Sequence, residues 1–231
     1  MSTREMQPSA PAIRAFDFAT FESGAPSREA YPRLASYWSG LPCGWESHPE
    51  CLVRDALVDV FRDRGVFDDL TLLPPAIERA ARGAPAGGWL PEVIYSGLFL
   101  ATQDAHFYDA SDRLFEEWWL HVGRDRVDRE AVPATGDAAD PAEGLRNAAE
   151  LWRANHIGTT IECELIAPRS AELRLFHPPG LFPLTMLAFY ARSIALLLAR
   201  GGAAAPTVHA TTSVSAHEGD ETFSTFVAEW V

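Results

Sequence analysis

The chain has 231 residues and a formal net charge of −13, and its 19 cationic side chains are all arginine, set against 32 Asp and Glu. Without lysine, Schiff-base catalysis and a Gly-Lys-Ser/Thr phosphate loop are excluded. The acid excess, spread over both halves of the chain, runs against nucleic acid and anionic membranes as partners.

Residues 1–48 are rich in Pro, Ser, Gly and Ala with scattered rings (Phe16, Phe18, Phe21, Tyr31, Tyr37, Trp38, Trp45), which reads as an irregular arm anchored by aromatics, with a short helix near Arg28–Trp38. The remainder, 49–231, reads as one domain. Pro49 reads as the first residue of a helix to about Arg64, with Leu52, Val53, Ala56, Leu57, Val60 and Phe61 on one face and Gly65 as its stop. A short helix over Pro74–Arg82 follows, then a Gly-Pro turn. Pro91 opens a helix that is apolar nearly all round (Val93, Ile94, Tyr95, Leu98, Phe99, Leu100, Ala101) and is therefore expected to be central. Ser111 or Asp112 caps the next helix, with a stripe of Leu114, Phe115, Trp118, Trp119 and Val122. Asp128–Gly144 is a loop by composition, and a helix bearing Leu145, Ala148, Ala149, Leu151 and Trp152 runs to about Asn155.

The period then changes from 3.6 to 2. Thr159–Ala167 alternates, with Ile161, Cys163 and Leu165 on one face and Thr160, Glu162 and Glu164 on the other. Ala171–His177 alternates again. Leu181–Arg200 is a long apolar helix stopped by Gly201-Gly202; Arg192 inside it would cost about 3 kcal/mol in a bilayer, so it is expected to be buried in protein rather than inserted in a membrane. Thr207–His217 and Thr222–Trp230 are the last strands, joined by a Glu218-Gly219-Asp220 turn. A helical half followed by a ββαββ half predicts an α+β fold, a four-stranded sheet covered by the long helix.

The run from Gly158 through Thr-Thr-Ile-Glu-Cys-Glu-Leu, Ala-Glu-Leu-Arg-Leu, Pro-Gly-Leu, the long helix, Thr-Val-His and Phe-Val-Ala-Glu-Trp resembles the C-terminal half of a ligand-binding superfamily. That superfamily comprises haem-NO-binding domains, 4-vinyl-reductase-type (V4R) domains and TRAPP-type tethering subunits. Within it the chain looks most like a family known chiefly from myxobacteria, in which Trp89-Leu90-Pro91-Glu92 opens a helix. The resemblance covers roughly Pro49 to Val231 and implies a sensor or adaptor rather than an enzyme. Haem is not implied. The family's Tyr-x-Ser-x-Arg run, aligned on Gly180-Leu181, falls on Arg174, Phe176 and Pro178, and residues 142–146 contain no histidine. The cysteine-rich zinc site of V4R-type domains has only Cys163 as a counterpart.

Several clusters carry chemistry in principle. Cys43, His48 and Cys51 are the densest set of zinc-type ligands, though their spacing matches no standard site and a fourth ligand is missing. Cys51, read in the first turn of a helix, is also a candidate reactive thiol. Tyr95, His106, Trp118, His121, Trp152, Cys163 and His209 are candidate pocket residues. His209 and His217 share a strand face with Thr and Ser, which would form a polar cavity wall if helices covered it. His217-Glu218 lacks the second histidine of a metalloprotease motif. Met1–Pro11 shows no signal peptide, and three cysteines make no disulfide framework, so a cytoplasmic location is expected.

The leading expectation is a non-enzymatic regulatory domain holding a small apolar or aromatic ligand in a cavity near 300 Å³, its cofactor, if any, unknown. The alternatives are an interaction adaptor or homodimer using the arm, a haem- or metal-binding sensor, and an enzyme. No cation follows Arg200, so a protein partner docking on the last two strands would present a basic surface.

Overall fold

The computed structural model describes residues 24–83, 88–122, 140–211 and 222–231. The alternating segments of the C-terminal half pair into an antiparallel sheet of β4 (Thr160–Ala167), β5 (Ser170–His177), β6 (Thr207–Thr211) and β7 (Thr222–Glu229), in the order β4-β5-β7-β6. The register sets Ile161 beside Leu175 and Leu173 beside Phe226, so one face is a continuous apolar surface. The other face is mixed: Arg174 pairs with Glu172 at 2.6 Å, and beside them Phe176 meets Phe223 at 5.7 Å. Leu165, although in phase with the apolar face, is 49 % exposed because the end of β4 runs past its covering helix. The strand predicted to His217 is described only to Thr211, and the predicted Glu218–Asp220 turn lies outside the described residues.

Two helices cover the apolar face. α6 (Pro141–Asn155) packs on β4, and α7 (Leu184–Arg200) packs on β6 and β7. α6 starts inside the segment read as loop: Asp140 caps it by accepting from the Ala142 N–H at 3.0 Å, and Pro141 occupies the first turn, where its missing N–H costs nothing. α7 starts after Pro183. No helix among the described residues is long and apolar enough to cross a membrane.

α4 (Glu92–His106) is the central helix, buried from Glu92 through Asp104. Around it lie α2 (Ala56–Arg62), α3 (Pro75–Arg82) and α5 (residues 112–122). The buried side of α5 is Phe115, Trp119 and Val122, spaced i, i+4, i+7; Leu114 and His121 turn outward. Trp119 stacks on Phe61 at 3.9 Å and meets Phe99 edge-on at 5.0 Å, tying three helices together. Arg62 ties α2 to α3, gripping Asp55 at 2.6 Å and donating to the Ala80 carbonyl at 2.6 Å.

The described part of the arm is integral to this core. Tyr31, Leu34 and Trp45 are buried in it. α1 (Pro32–Gly40) has no capping side chain of its own. Its first N–H groups are met instead by Asp104 of α4, which accepts from Arg33 N at 2.9 Å and Leu34 N at 3.0 Å. The Arg33 guanidinium closes on the same carboxyl at 3.2 Å.

The helix expected from Pro49 to Arg64 is not formed as such. Leu52–Arg54 is instead a strand, β1, and only Ala56–Arg62 is helical. β1 is the middle strand of a second small antiparallel sheet, between β2 (Trp89–Pro91) and β3 (His156–Ile157). Leu52, Val53, Ala56 and Leu57 fit a helical stripe, but Leu52-Val53 also fits a buried strand, and two distant partners decide the matter.

Candidate functional site

The small sheet brings together two side chains from the ends of helices far apart in sequence. Leu52 of β1 faces Pro91 on one side and Ile157 on the other. Glu92, the residue after β2, and His156, the first of β3, are thereby set near each other across β1. His156 Nδ1 lies 3.1 Å from Glu92 Oε2, and the residues are 7 % and 1 % exposed. A carboxylate only accepts, so Nδ1–H donates, and in the tautomer with its proton on Nδ1 the ring offers Nε2 as an acceptor. Tyr190 of α7 donates to Glu92 Oε1 at 3.5 Å. Burial beside Glu92 pushes the Tyr190 phenol well above its ordinary pKa, so it stays a donor. Glu92 also sits at the positive end of α4, where a carboxylate is favoured.

His156 is held from its ring face as well. Trp152, one turn earlier on α6, stacks on it at 3.8 Å with planes 6° apart, and the Trp152 N–H donates to Thr159 Oγ1 at 3.1 Å. Tyr190 stands edge-on to Trp152 at 5.0 Å.

This polar end opens into a cavity of about 180 Å³ between α4, α6, α7 and the apolar face of the large sheet. Its wall includes Trp152, His156 and Tyr190 with Ala148, Leu175 and Phe226. A second cavity of about 150 Å³ adjoins it toward α2 and α5, walled by Val60, Phe61, Trp119 and Leu120. Leu57, Tyr95, Leu151, Phe189, Ser193 and Leu197 line both. The wall's polar groups are mostly turned to protein: Asn155 Nδ2 donates to Leu151 O at 2.9 Å, and Ser193 Oγ to Phe189 O at 3.0 Å. Water, which needs two to four partners, therefore finds few here.

Of the residues singled out from sequence, Tyr95 and Trp152 line this space. The others are elsewhere. His106, His121 and His209 are exposed. His209 lies on the mixed face of the large sheet, so the strand face read as a possible cavity wall is not covered at that position. Trp118 packs on Phe107 and Phe115, and Cys163 is a half-buried residue of β4 outside the cavity wall. His156, Glu92 and Tyr190 were missed. The legible signals were a lone carboxyl opening an apolar helix and a histidine four residues after Trp152.

Cys43, His48 and Cys51 do not converge. No group of three His, Cys, Asp or Glu able to hold a metal occurs among the described residues. Cys51 precedes β1 rather than opening a helix, is fully buried, and points its thiol at the Gly158 carbonyl, 3.5 Å away. Burial, reinforced by Glu50 and Glu92, pushes that thiol up to about 12, the opposite of an activated cysteine. Gly158 is forced by the same contact. Its φ is +75°, and a Cβ there would lie 2.5 Å from the Glu50 carbonyl oxygen.

The chain matches no family model and no curated protein. Among solved structures, the crystal structure of Fe(II) unliganded H-NOX protein from K. algicida superposes with a TM-score of 0.49 at 10 % sequence identity, covering 77 % of this chain and 96 % of that one. The cavity does not fit a haem. Neither lobe has an arginine in its wall to meet a propionate, and His156, the histidine lining it, is stacked flat against Trp152.

Proposed function

We propose that the protein is a non-enzymatic regulatory domain that binds a small, mainly apolar molecule between α6, α7 and the large sheet. The observation that carries this reading is an apolar cavity of about 180 Å³ ending on His156, which Glu92 holds from behind. A ligand that fills it takes its apolar surface out of water, and one hydrogen-bonding group would give it a fixed orientation. A cavity of about 150 Å³ lined by apolar side chains holds one benzene ring, so the first lobe suits a single ring or a short branched chain. Binding that rigidifies α6 and α7 supplies the signal of a sensor.

Titration calorimetry with benzyl alcohol tests the reading. It predicts saturable binding and a rise in Tm. In Ala148→Leu, whose added methyls enter the first lobe, binding falls at least tenfold while Tm is unchanged or higher. Heats no larger than dilution, with no shift in Tm, contradict it.

A further inference from the structure

The two lobes differ in chemistry as well as position. The first ends on His156 and Tyr190, with Glu92 bonded behind them; the second is closed by Val60, Phe61, Trp119 and Leu120, whose side chains offer no oxygen and only the Trp119 indole N–H. Their shared wall is not a partition deep in the core. Leu57, Leu151, Phe189, Ser193 and Leu197 are all half-buried, so both lobes are reached from the crevice between α2, α6 and α7. Neither lobe alone reaches the volume of about 300 Å³ at which ligand pockets usually begin, whereas the two joined do. No arginine is among the described residues lining either lobe, and behind His156 and Tyr190 lies the Glu92 carboxyl. A ligand carboxylate or phosphate would be desolvated close to that carboxyl with no arginine to neutralise it.

We infer, building on the binding function above, that the ligand class is an uncharged two-lobed amphiphile. It has one hydroxyl held at the His156–Tyr190 end and a hydrocarbon part extending into the lobe of Val60, Phe61, Trp119 and Leu120. At about one benzene ring per 150 Å³, the joined lobes take roughly ten to twelve carbon atoms. The His156 ring nitrogen accepts from the hydroxyl, and the tail meets mainly apolar side chains and ring edges, the Ser193 hydroxyl being turned to the Phe189 carbonyl.

A chain-length series on the intact protein tests this. Calorimetry with 1-hexanol, 1-octanol, 1-decanol, 1-dodecanol and 1-hexadecanol, beside decanoate at pH 8, reads both size and charge. Affinity is expected to rise about 3- to 4-fold per methylene as far as ten to twelve carbons and then to level or fall, with decanoate at least 30-fold weaker than 1-decanol. Leu120→Trp, which fills the second lobe from a half-buried position, is expected to remove the gain beyond 1-hexanol and to leave benzyl alcohol unaffected. If benzyl alcohol binds while 1-decanol is no tighter than 1-hexanol, or decanoate equals 1-decanol, the ligand class is overturned and the simpler binding function stands. If none of these binds, both fall.

Discussion

Replacing His156 by Phe keeps the aromatic stack on Trp152 and removes the partner of Glu92. Glu92 is 1 % exposed, and it also accepts the 3.5 Å hydrogen bond from Tyr190. Breaking a buried pair from one side leaves an uncompensated polar group and costs about 3–5 kcal/mol. In a chain of this length each kcal/mol moves Tm by about 2–4 °C, so a fall of roughly 6–20 °C is expected. Glu92→Leu alone orphans the imidazole and costs less, because an imidazole can be buried uncharged at lower cost than a carboxylate. The double variant Glu92→Leu/His156→Phe leaves neither group stranded and is expected to recover most of the loss. Urea unfolding of the four proteins at 25 °C yields the coupling energy directly, expected at about 2–3 kcal/mol. A double variant whose loss equals the sum of the single losses would refute the pairing and with it the polar end of the cavity.

Three further outcomes follow from neighbouring geometry. His177 bridges the Pro178 carbonyl and Ser224 Oγ, both at 2.9 Å, as a neutral ring, and burial, with His48 adding to it, holds its pKa below the ordinary value. A depressed histidine contributes stability above its unfolded pKa of about 6.5 that is lost as pH falls through the folded value; the stability difference between wild type and His177→Gln should therefore shrink as pH drops from 7 to 5, and a constant difference would contradict this. At pH 8 iodoacetamide should label exposed Cys43 and spare Cys51 until urea unfolds the chain, as peptide mass spectrometry would show; equal labelling rates would overturn the assignment of Cys51 as inert. Gly158→Ala should destabilise by at least about 1–3 kcal/mol in urea unfolding, since it combines a left-handed backbone with a clash on the Glu50 carbonyl, and a neutral effect would refute the close approach.

The large sheet and its helices were legible because each buries one face only, so period 2 and period 3.6 are written into the sequence. Thr160–Ala167, Ser170–His177 and Leu184–Arg200 follow their patterns to within three residues. The small sheet was not legible. β3 has two residues and β1 and β2 have three each, too few to display a period, and they pair across about 35 to 105 residues of chain. Reading Leu52–Arg54 as helix hid β1, and β1 is what sets Glu92 beside His156. The histidines that stood out in sequence, His106, His121 and His209, lay next to apolar runs but on the turned-out side. Trp152 and Tyr95 were visible as large rings on apolar faces, and they do line the cavity.

The central claim is that the space beside His156 and Trp152 is a binding site. It is met most directly by anomalous diffraction from crystals soaked in 4-bromobenzyl alcohol. The account predicts a bromine peak between α6, α7 and the large sheet, in van der Waals contact with the cavity wall, with the hydroxyl within hydrogen-bonding distance of His156. Well-diffracting soaked crystals with no peak there, or with bromine only on the protein surface, would contradict it.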